Sequence, residues 1–507
     1  MVPRKPKTPL SLMSVHINKI GIIQNAPLPG DFSANLRAIV QGYRDCIDHG
    51  AELVVAPAAA LCGLEPRSLV NRRSFITQMK RALDALSHEL GSAPLLLGGY
   101  ASVIDEDELW DGELADNDYF DESMDPEPNV VPVPFLVEKD MVTELEDGEV
   151  ADIEGTAVYV TIGDEEQLPE GPDFDLMVHL SLTPWHSGAA AKSEDSCRWE
   201  ATNNGAAVVC CHAVGTAGQK IFGGGSCVLG ADGTVRLRLP FFETAAKTAN
   251  LRSKVTAPAL PEEEALLQQA LERGIRDTVR NNGFNSVLVP QDFPNSALLT
   301  ALAVSALGSS NVCGITFEGN TAAAKALRAD CLSYDAAELC TAAAGTLKQH
   351  TPSPALTARL KATLMMTLAE ERGLMLLSPL DRHCIMTGGF TLYGDSCGFL
   401  APLANLYEMD VYLLSKRFAE QYADLFGTLA EPAHPEQDRI IHELADRNVS
   451  AGELLSRHEH LFRENDVRLL QRRIIASELR RTQLPLVLHV DSPAEQLRFP
   501  VSHRLND

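Results

Sequence analysis

The spacing of apolar and polar positions gives the chain two successive rhythms. Through the first half, residues 14–255, short β-prone runs at 20–23, 53–55, 95–100, 158–162, 176–180 and 206–211 alternate with polar, glycine-punctuated stretches. Short continuous apolar runs of this kind are what strands buried on both faces require. Over 35–50 the residues Leu36, Ile39, Tyr43 and Ile47 recur at helical spacing, and Gly50 supplies the stop. The segment 227–233 (CVLGADG) reads as a strand entering a hairpin turn. Together these elements predict a layered α/β sandwich.

The second rhythm centres on 287–315 (VLVPQDFPNSALLTALAVSALGSSNVCGI). Val287, Leu288 and Val289 predict a buried strand, 297–307 an apolar helix stopped by Gly308, and the run to Ile315 a second strand. Such strand–helix–strand units bind nucleotides at the loop that opens the helix. Here that loop is Gln291, Asp292, Phe293, Pro294, Asn295 and Ser296. A phosphate cradle needs inward N–H groups and room for oxygens, which is why glycines dominate such loops. Phe293 is bulky, and Pro290 and Pro294 each lack a donor. Between the halves, 247–261 reads as a linker punctuated by TAPALP at 256–261. Glu262, Glu263 and Glu264 then suit the positive end of a following helix. The apolar segment 400–414 (LAPLANLYEMDVYLL) reads as a buried helix, in the core or at an assembly surface.

Composition narrows the class. At 507 residues the chain is long enough for two domains or more. A formal net charge of −26 argues against nucleic acid or an anionic membrane as partner over the whole surface. The eleven cysteines are odd in number and contain no CxxC pair, which predicts a reducing, cytoplasmic compartment. The basic tail at 1–13 is not followed by an apolar stretch of signal-peptide length, and no uncharged apolar run reaches membrane-spanning length. The acidic insertion near 105–128 lacks calcium-loop spacing and is expected to be solvated and partly disordered. Cys197, Cys210, Cys211 and His212 are the reactive candidates of the first half. The apolar run around Cys210 and Cys211 predicts small buried hydrophobes, because a reactive thiol needs an electropositive, partly exposed site. His212, at the strand end, reads as a hydrogen-bonding residue.

Longer motifs carry a resemblance. Segments 20–39 (IGIIQNAPLPGDFSANLRAI), 51–66 (AELVVAPAAALCGLEP) and 212–233 (HAVGTAGQKIFGGGSCVLGADG) resemble the nitrilase-fold glutaminase domain of glutamine-dependent NAD(+) synthetases. In the second half the 287–315 unit resembles the synthetase domain of the same family. So do Ala358-Arg359-Leu360-Lys361 with Leu364-Met365, the 398–412 segment, and Leu479-Arg480-Arg481-Thr482-Gln483-Leu484-Pro485. The run Thr391-Leu392-Tyr393-Gly394-Asp395 is the most specific match. The resemblance covers all but the N-terminal tail and the acidic insertion. It implies a nitrilase-like α/β sandwich at 14–255, followed at 256–507 by an adenine-nucleotide α-hydrolase-like (Rossmann-like) parallel-sheet domain. The family reaction it implies is ATP-driven adenylation of nicotinic acid adenine dinucleotide, with Mg2+, then attack by ammonia released from glutamine.

At the positions where the resemblance places the working groups, other residues stand. Nitrilase chemistry uses a Cys nucleophile, a Glu base and a Lys for the oxyanion. The Glu falls on Ala58 and the Cys on Gly163, within Thr161-Ile162-Gly163-Asp164-Glu165. The lysine-bearing loop is absent; only Lys139 lies in that stretch, expected at a strand edge. The family's Ser-Gly-Gly-x-Asp-Ser loop falls on 291–296, where Ser296 alone matches and Asn295 stands for the metal-binding Asp. Its Gly-Asn-Lys-Ser-Glu falls on 380–384, placing Cys384 at the second metal position, and its Asp-x-x-Lys falls on Asn405 and Glu408. A hard cation prefers carboxylate oxygen to a thiol. Asp292 and Asp381 are the carboxylates left near the expected metal position, and His383-Cys384 has no second pair at ligand spacing. Ser296, Thr391, Asp395, Arg480 and Arg481 are the remaining candidates for ligand contact.

The expectation is a catalytically degenerate NAD(+) synthetase homologue that needs no cofactor, a pseudoenzyme with a structural or regulatory assembly role. Its expected partners are its own copies or an active NAD synthetase, with no nucleic acid and no membrane. Two rival readings are an active ligase with a rearranged site and a non-catalytic ligand sensor using the old pocket.

Overall fold

A computed structural model of the chain describes residues 17–102, 130–164, 173–426, 429, 431–458 and 461–490. The basic tail at 1–13, the acidic insertion at 105–128 and Glu165 lie outside the described residues. The chain divides into two compact units. The first runs through Gly215 and resumes over Phe222–Pro261; the second takes Thr216–Ile221 and continues from Glu262. Pro261 closes the first unit because the 256–261 stretch bonds back to it: the Ala257 N–H donates to Val235 O at 2.8 Å, and the Arg238 guanidinium donates to Pro258 O.

The first unit opens with β1 (Lys19–Gln24), α1 (Phe32–Asp48), β2 (Leu53–Val55), α2 (Arg73–Glu89) and β3 (Leu95–Ser102). It continues with β4 (Val130–Glu138), β5 (Met141–Glu144), β6 (Glu149–Ile153), β7 (Thr156–Gly163), β8 (Leu176–Ser181) and α3 (Ala189–Asn204). The last strands are β9 (Ala207–Cys211), β10 (Val214–Ala217), β11 (Lys220–Gly223), β12 (Cys227–Leu229), β13 (Val235–Arg238) and β14 (Ala245–Asn250), of which β10 and β11 belong to this unit only through residues 214–215 and 222–223. Two six-stranded sheets result, ordered β14-β1-β2-β3-β4-β5 and β13-β12-β9-β8-β7-β6. The centre of each is parallel (β1-β2-β3 and β7-β8-β9) and the edges antiparallel.

Side-chain alternation explains the layering. Ile20 and Ile22 of β1 join Leu176 and Val178 of β8 in the apolar core between the sheets. Ile23 instead joins the core under α1 and α2, with Ile39, Tyr43, Met79 and Leu86. On the far side, Met177 of β8 belongs to the core under α3, with Cys197 and Ala201. The unit is thus an α-β-β-α sandwich. Asp31 starts α1 by accepting the Ala34 N–H at 3.0 Å, an N-cap. Lys139 is not in a strand: it lies exposed in the turn between β4 and β5, where Asp140 takes φ +60°.

The second unit begins with α4 (Glu263–Asn281), β15 (Ser286–Pro290), α5 (Ser296–Leu307), β16 (Val312–Thr316), α6 (Ala322–Ala326) and β17 (Asp330–Ser333). Next come α7 (Ala337–Thr346), α8 (Pro354–Arg372), β18 (Leu374–Leu376), α9 (Arg382–Thr387) and β19 (Leu400–Ala401). The chain then becomes helical: α10 (Glu408–Gln421), α11 (Ala423–Phe426), α12 (Pro435–Ile441), α13 (Ala451–Arg457) and α14 (Glu464–Arg481), before β20 (Leu486–Val487). Strands β17-β16-β15-β18 form a wholly parallel sheet, with Val287 opposite Val312 and Met375. Leu288 packs in a core with Ala362, Met365 and Ala369 of α8. Its fully buried neighbours Val287 and Val289 point to the opposite face.

The segment 400–414 is not one helix. Leu400 and Ala401 pair in parallel with Leu486 and Val487, a turn follows, and α10 starts only at Glu408. Pro402 cannot continue a helix, and the side chain of Asn405 accepts the Val490 N–H at 2.8 Å. Among the described residues no helix is long and apolar enough to cross a membrane.

Candidate functional site

Ala58 follows β2 and is 2% exposed, a member of the apolar core between the sheets. Strand β3 runs tight against it: a Cβ on Gly98 would lie 2.4 Å from Ala58 O. Gly163 ends β7 with φ +139°, and a Cβ there would meet no atom within 4 Å. The residues at these two positions are a methyl group and a bare backbone.

The stand-in candidates are spoken for. Cys197, Cys210 and Cys211 are fully buried. The Cys211 thiol donates to Ile23 O at 3.4 Å, and burial pushes its pKa far above the ordinary thiol value. His212 donates its N–H to Ser226 Oγ at 2.9 Å and sets Nε2 3.2 Å from Cys210 Sγ. A cleft of about 460 Å³ in this unit includes His212, Glu194, Cys227, Arg238 and Trp185, but neither Ala58 nor Gly163. Within it Glu194 is paired with Arg198 at 2.6 Å and with Arg238. A hydrogen bond with Cys197, and burial, push the Cys227 thiol pKa well above its ordinary value. A thiol is nucleophilic only as thiolate, so Cys227 is a poor nucleophile in this cleft. All eleven cysteines are free.

In the second unit, the loop from Gln291 to Ser296 joins β15 to α5 as the sequence places it, and it is closed upon itself. Gln291 is buried and donates to Val289 O and Thr300 Oγ1, both at 3.0 Å. Asp292 accepts from Thr316 Oγ1 and, at 2.7 Å, from the Phe317 N–H, tying the loop to β16. The Phe293 N–H donates to Ser296 Oγ at 3.1 Å, so it is not free for an anion. Pro294 has no N–H to offer. Asn295 donates to Asp381 at 2.9 Å.

The fold brings together the two positions where the resemblance implies magnesium ligands. Asp381 caps α9, accepting the Cys384 N–H at 2.8 Å on one oxygen and the Asn295 amide on the other. An amide, a cap carboxylate and a thiol whose pKa burial pushes up to about 12 make a poor donor set for a hard, oxygen-seeking cation. Magnesium does not fit these residues.

One grouping had no signal in the spacing of the sequence. His383 on α9, Glu408 at the start of α10 and His434 just before α12 offer ligand atoms that all lie within 4.8 Å of one another. The two imidazoles stack with centroids 4.7 Å apart and planes 19° apart. His383 Nδ1 lies 2.8 Å from buried Asp438, whose other oxygen accepts the Glu408 N–H at 3.0 Å. Glu408 also accepts the His434 N–H and sits 2.8 Å from His434 Nδ1. Burial works against the imidazolium of His383, but the carboxylates of Asp438, Glu408 and Asp381 outweigh it and raise its pKa. Burial likewise disfavours the Glu408 carboxylate, and its bonds to His434 outweigh that and lower its pKa. Separations of about 25 residues leave no local motif, so only the fold reveals the set.

Thr391, Asp395 and Arg480 come together around one loop. Asp395 accepts the Thr391 N–H at 2.9 Å, and Arg480 donates to Gly388 O at 3.1 Å and Phe390 O at 3.4 Å. Arg481 donates to Ile474 O at 2.8 Å and pairs with Glu478. With Arg382, Asp446, Glu478 and Thr482 it lines a cleft of about 720 Å³. Asp446 closes a π-type turn over His442–Asp446 and accepts from Arg382, from Tyr407 Oη at 2.7 Å and from His442 at 2.9 Å.

One chain thus carries an α-β-β-α sandwich and a unit built on a parallel sheet whose first crossover is a strand, a loop and a helix. The NAD synthase family model matches residues 267–423. The chain is 26% identical over 475 residues to the glutamine-dependent NAD(+) synthetase of Thermotoga maritima, covering 78% of this chain and 80% of that one. It is 27% identical over 428 residues to that of Xylella fastidiosa strain 9a5c, covering 75% of each. Two solved structures share the fold. The glutamine-dependent NAD+ synthetase of Acinetobacter baumannii, solved with ADP, gives a TM-score of 0.70 at 19% identity, covering 96% of this chain and 98% of that one. That of Cytophaga hutchinsonii gives 0.78 at 13% identity, covering 96% and 97%. Over about three quarters of its length the chain is similar to glutamine-dependent NAD(+) synthetases.

Proposed function

We propose that this chain is a catalytically silent member of the family, kept for assembly as a homo-oligomer or as a mixed oligomer with a working NAD synthetase. The observation that carries this reading is the closed loop at 291–296, whose polar groups bond to the protein instead of facing a phosphate. Ala58 and Gly163 extend the same loss to the glutaminase half. Loss of a nucleophile from a catalytic unit lowers the rate by on the order of a millionfold. Surfaces that join subunits do not depend on those groups, and symmetric association is the common state of soluble oligomers. Eleven free cysteines support a reducing compartment, the cytoplasm.

The test has two arms. Purified protein is given glutamine, ATP, Mg2+ and nicotinic acid adenine dinucleotide; neither ammonia nor NAD is expected, and turnover of either would overturn the silent reading. Size-exclusion chromatography with light scattering, alone and mixed with an active synthetase, is expected to show an oligomer. A strict monomer that ignores the active enzyme would remove the assembly role.

A further inference from the structure

We propose that His383, Glu408 and His434 form a binding site for a borderline divalent metal ion of the zinc class, clipping together α9, α10 and α12. The claim goes beyond the silent-synthetase reading and does not depend on it.

Three features support the site. The donor set is two imidazole nitrogens and one carboxylate oxygen, with ligand atoms within 4.8 Å of one another. Zinc takes imidazole and carboxylate ligands at about 2.0–2.2 Å, so closing onto an ion needs only a modest inward movement. Two of the three groups can make it, because the His434 and Glu408 side chains are 44% and 20% exposed. The third is held in place. His383 is buried, and its Nδ1 is fixed by Asp438, itself 6% exposed. A histidine ligand bonded through one nitrogen to a carboxylate presents the other nitrogen to the metal in a set direction and tautomer. Asp438 is anchored in turn by the Glu408 N–H, so one carboxylate orients elements carrying two of the three ligands.

The chemistry also says which ion to expect. Magnesium demands near-octahedral oxygen coordination and retains water, and two imidazoles do not suit it. Three protein ligands leave a zinc ion an open position, which water would fill. Cys384 is next in sequence to His383 but does not join the group of ligand atoms, so the metal is expected to be bound without sulfur.

The experiment uses the full chain, stripped with chelator and titrated with ZnCl2 by calorimetry, then with CoCl2 by visible absorption. One equivalent of zinc is expected, undisturbed by millimolar MgCl2, with a rise in Tm on binding. Cobalt is expected to give visible bands without the near-ultraviolet thiolate-to-metal band. Asp438→Asn should weaken zinc by about 10–100-fold, the usual effect of removing an outer-shell partner. Glu408→Gln and His434→Ala, both on partly exposed side chains, should each weaken it further and reduce the rise in Tm on zinc addition. Cys384→Ser should bind as the parent does. Absence of stoichiometric zinc binding overturns the proposal. So does binding that survives both Glu408→Gln and His434→Ala, or a thiolate band that disappears in Cys384→Ser.

Discussion

Gly163→Cys restores a thiol at the position where the family resemblance puts the glutaminase nucleophile. Room is no obstacle, since a Cβ there meets nothing within 4 Å. The backbone is the obstacle. Residue 163 holds φ +139°, a region open essentially to glycine, and a side chain there costs about 1–3 kcal/mol. It cannot relax freely, because Gly163 pairs with Ser181 in the β7–β8 ladder and its carbonyl accepts the Leu182 N–H at 2.9 Å. A unit of this size loses roughly 2–4 °C of Tm per kcal/mol, so the first unit is expected to melt roughly 2–12 °C earlier. The thiol would find no base, since Ala58 is a buried methyl. Differential scanning calorimetry and a glutamine-dependent ammonia assay read the two consequences. A variant as stable as the parent would refute the backbone argument, and ammonia release would refute the claim that the thiol is not the sole missing part.

Asp446→Ala strips Arg382, Tyr407 and His442 of a shared buried acceptor; about 3–5 kcal/mol of stability is expected to go, read from the urea transition of the second unit. The same carboxylate sets an acid limb: burial would raise its pKa, but His442, Arg382 and Tyr407 outweigh burial and hold it below the ordinary Asp value. The unfolded chain therefore takes up that proton first, so the contribution is complete above the unfolded pKa of about 3.9 and vanishes as pH falls through the lower folded pKa. Urea midpoints against pH should show this limb in the parent and not in Asp446→Asn. Mg-ATP at millimolar concentration is expected to leave Tm unchanged, where a nucleotide at a hundred times its Kd would stabilise by about 2.7 kcal/mol. Gly345→Ala, in the last turn of α7 with nothing within 4 Å of the added carbon, should stabilise by about 0.4–1 kcal/mol, seen as a higher urea midpoint.

Local chemistry was legible where a few neighbouring residues decide the outcome. The largely apolar runs of β2, β8 and β15 announce strands buried on both faces, and Gly308, at φ +85°, marks the end of α5. The proline and bulky ring of the 291–296 loop argue from the residues alone against an open phosphate cradle. Helix α3 was not legible, because it buries Glu194, Cys197, Glu200 and Ala201 and so carries no apolar stripe; Glu194 is tolerated inside only because Arg198 and Arg238 come to meet it. Nor did the loop's residues reveal that Asp292 would be tied to Thr316 or Asn295 to Asp381. His434 showed no signal either: its partners lie 51 and 26 positions away along the chain, the distances from His383 and Glu408. Strand and helix periods are written by side chains a few residues apart, whereas a site is made by groups that only the packing of separate helices brings within bonding reach.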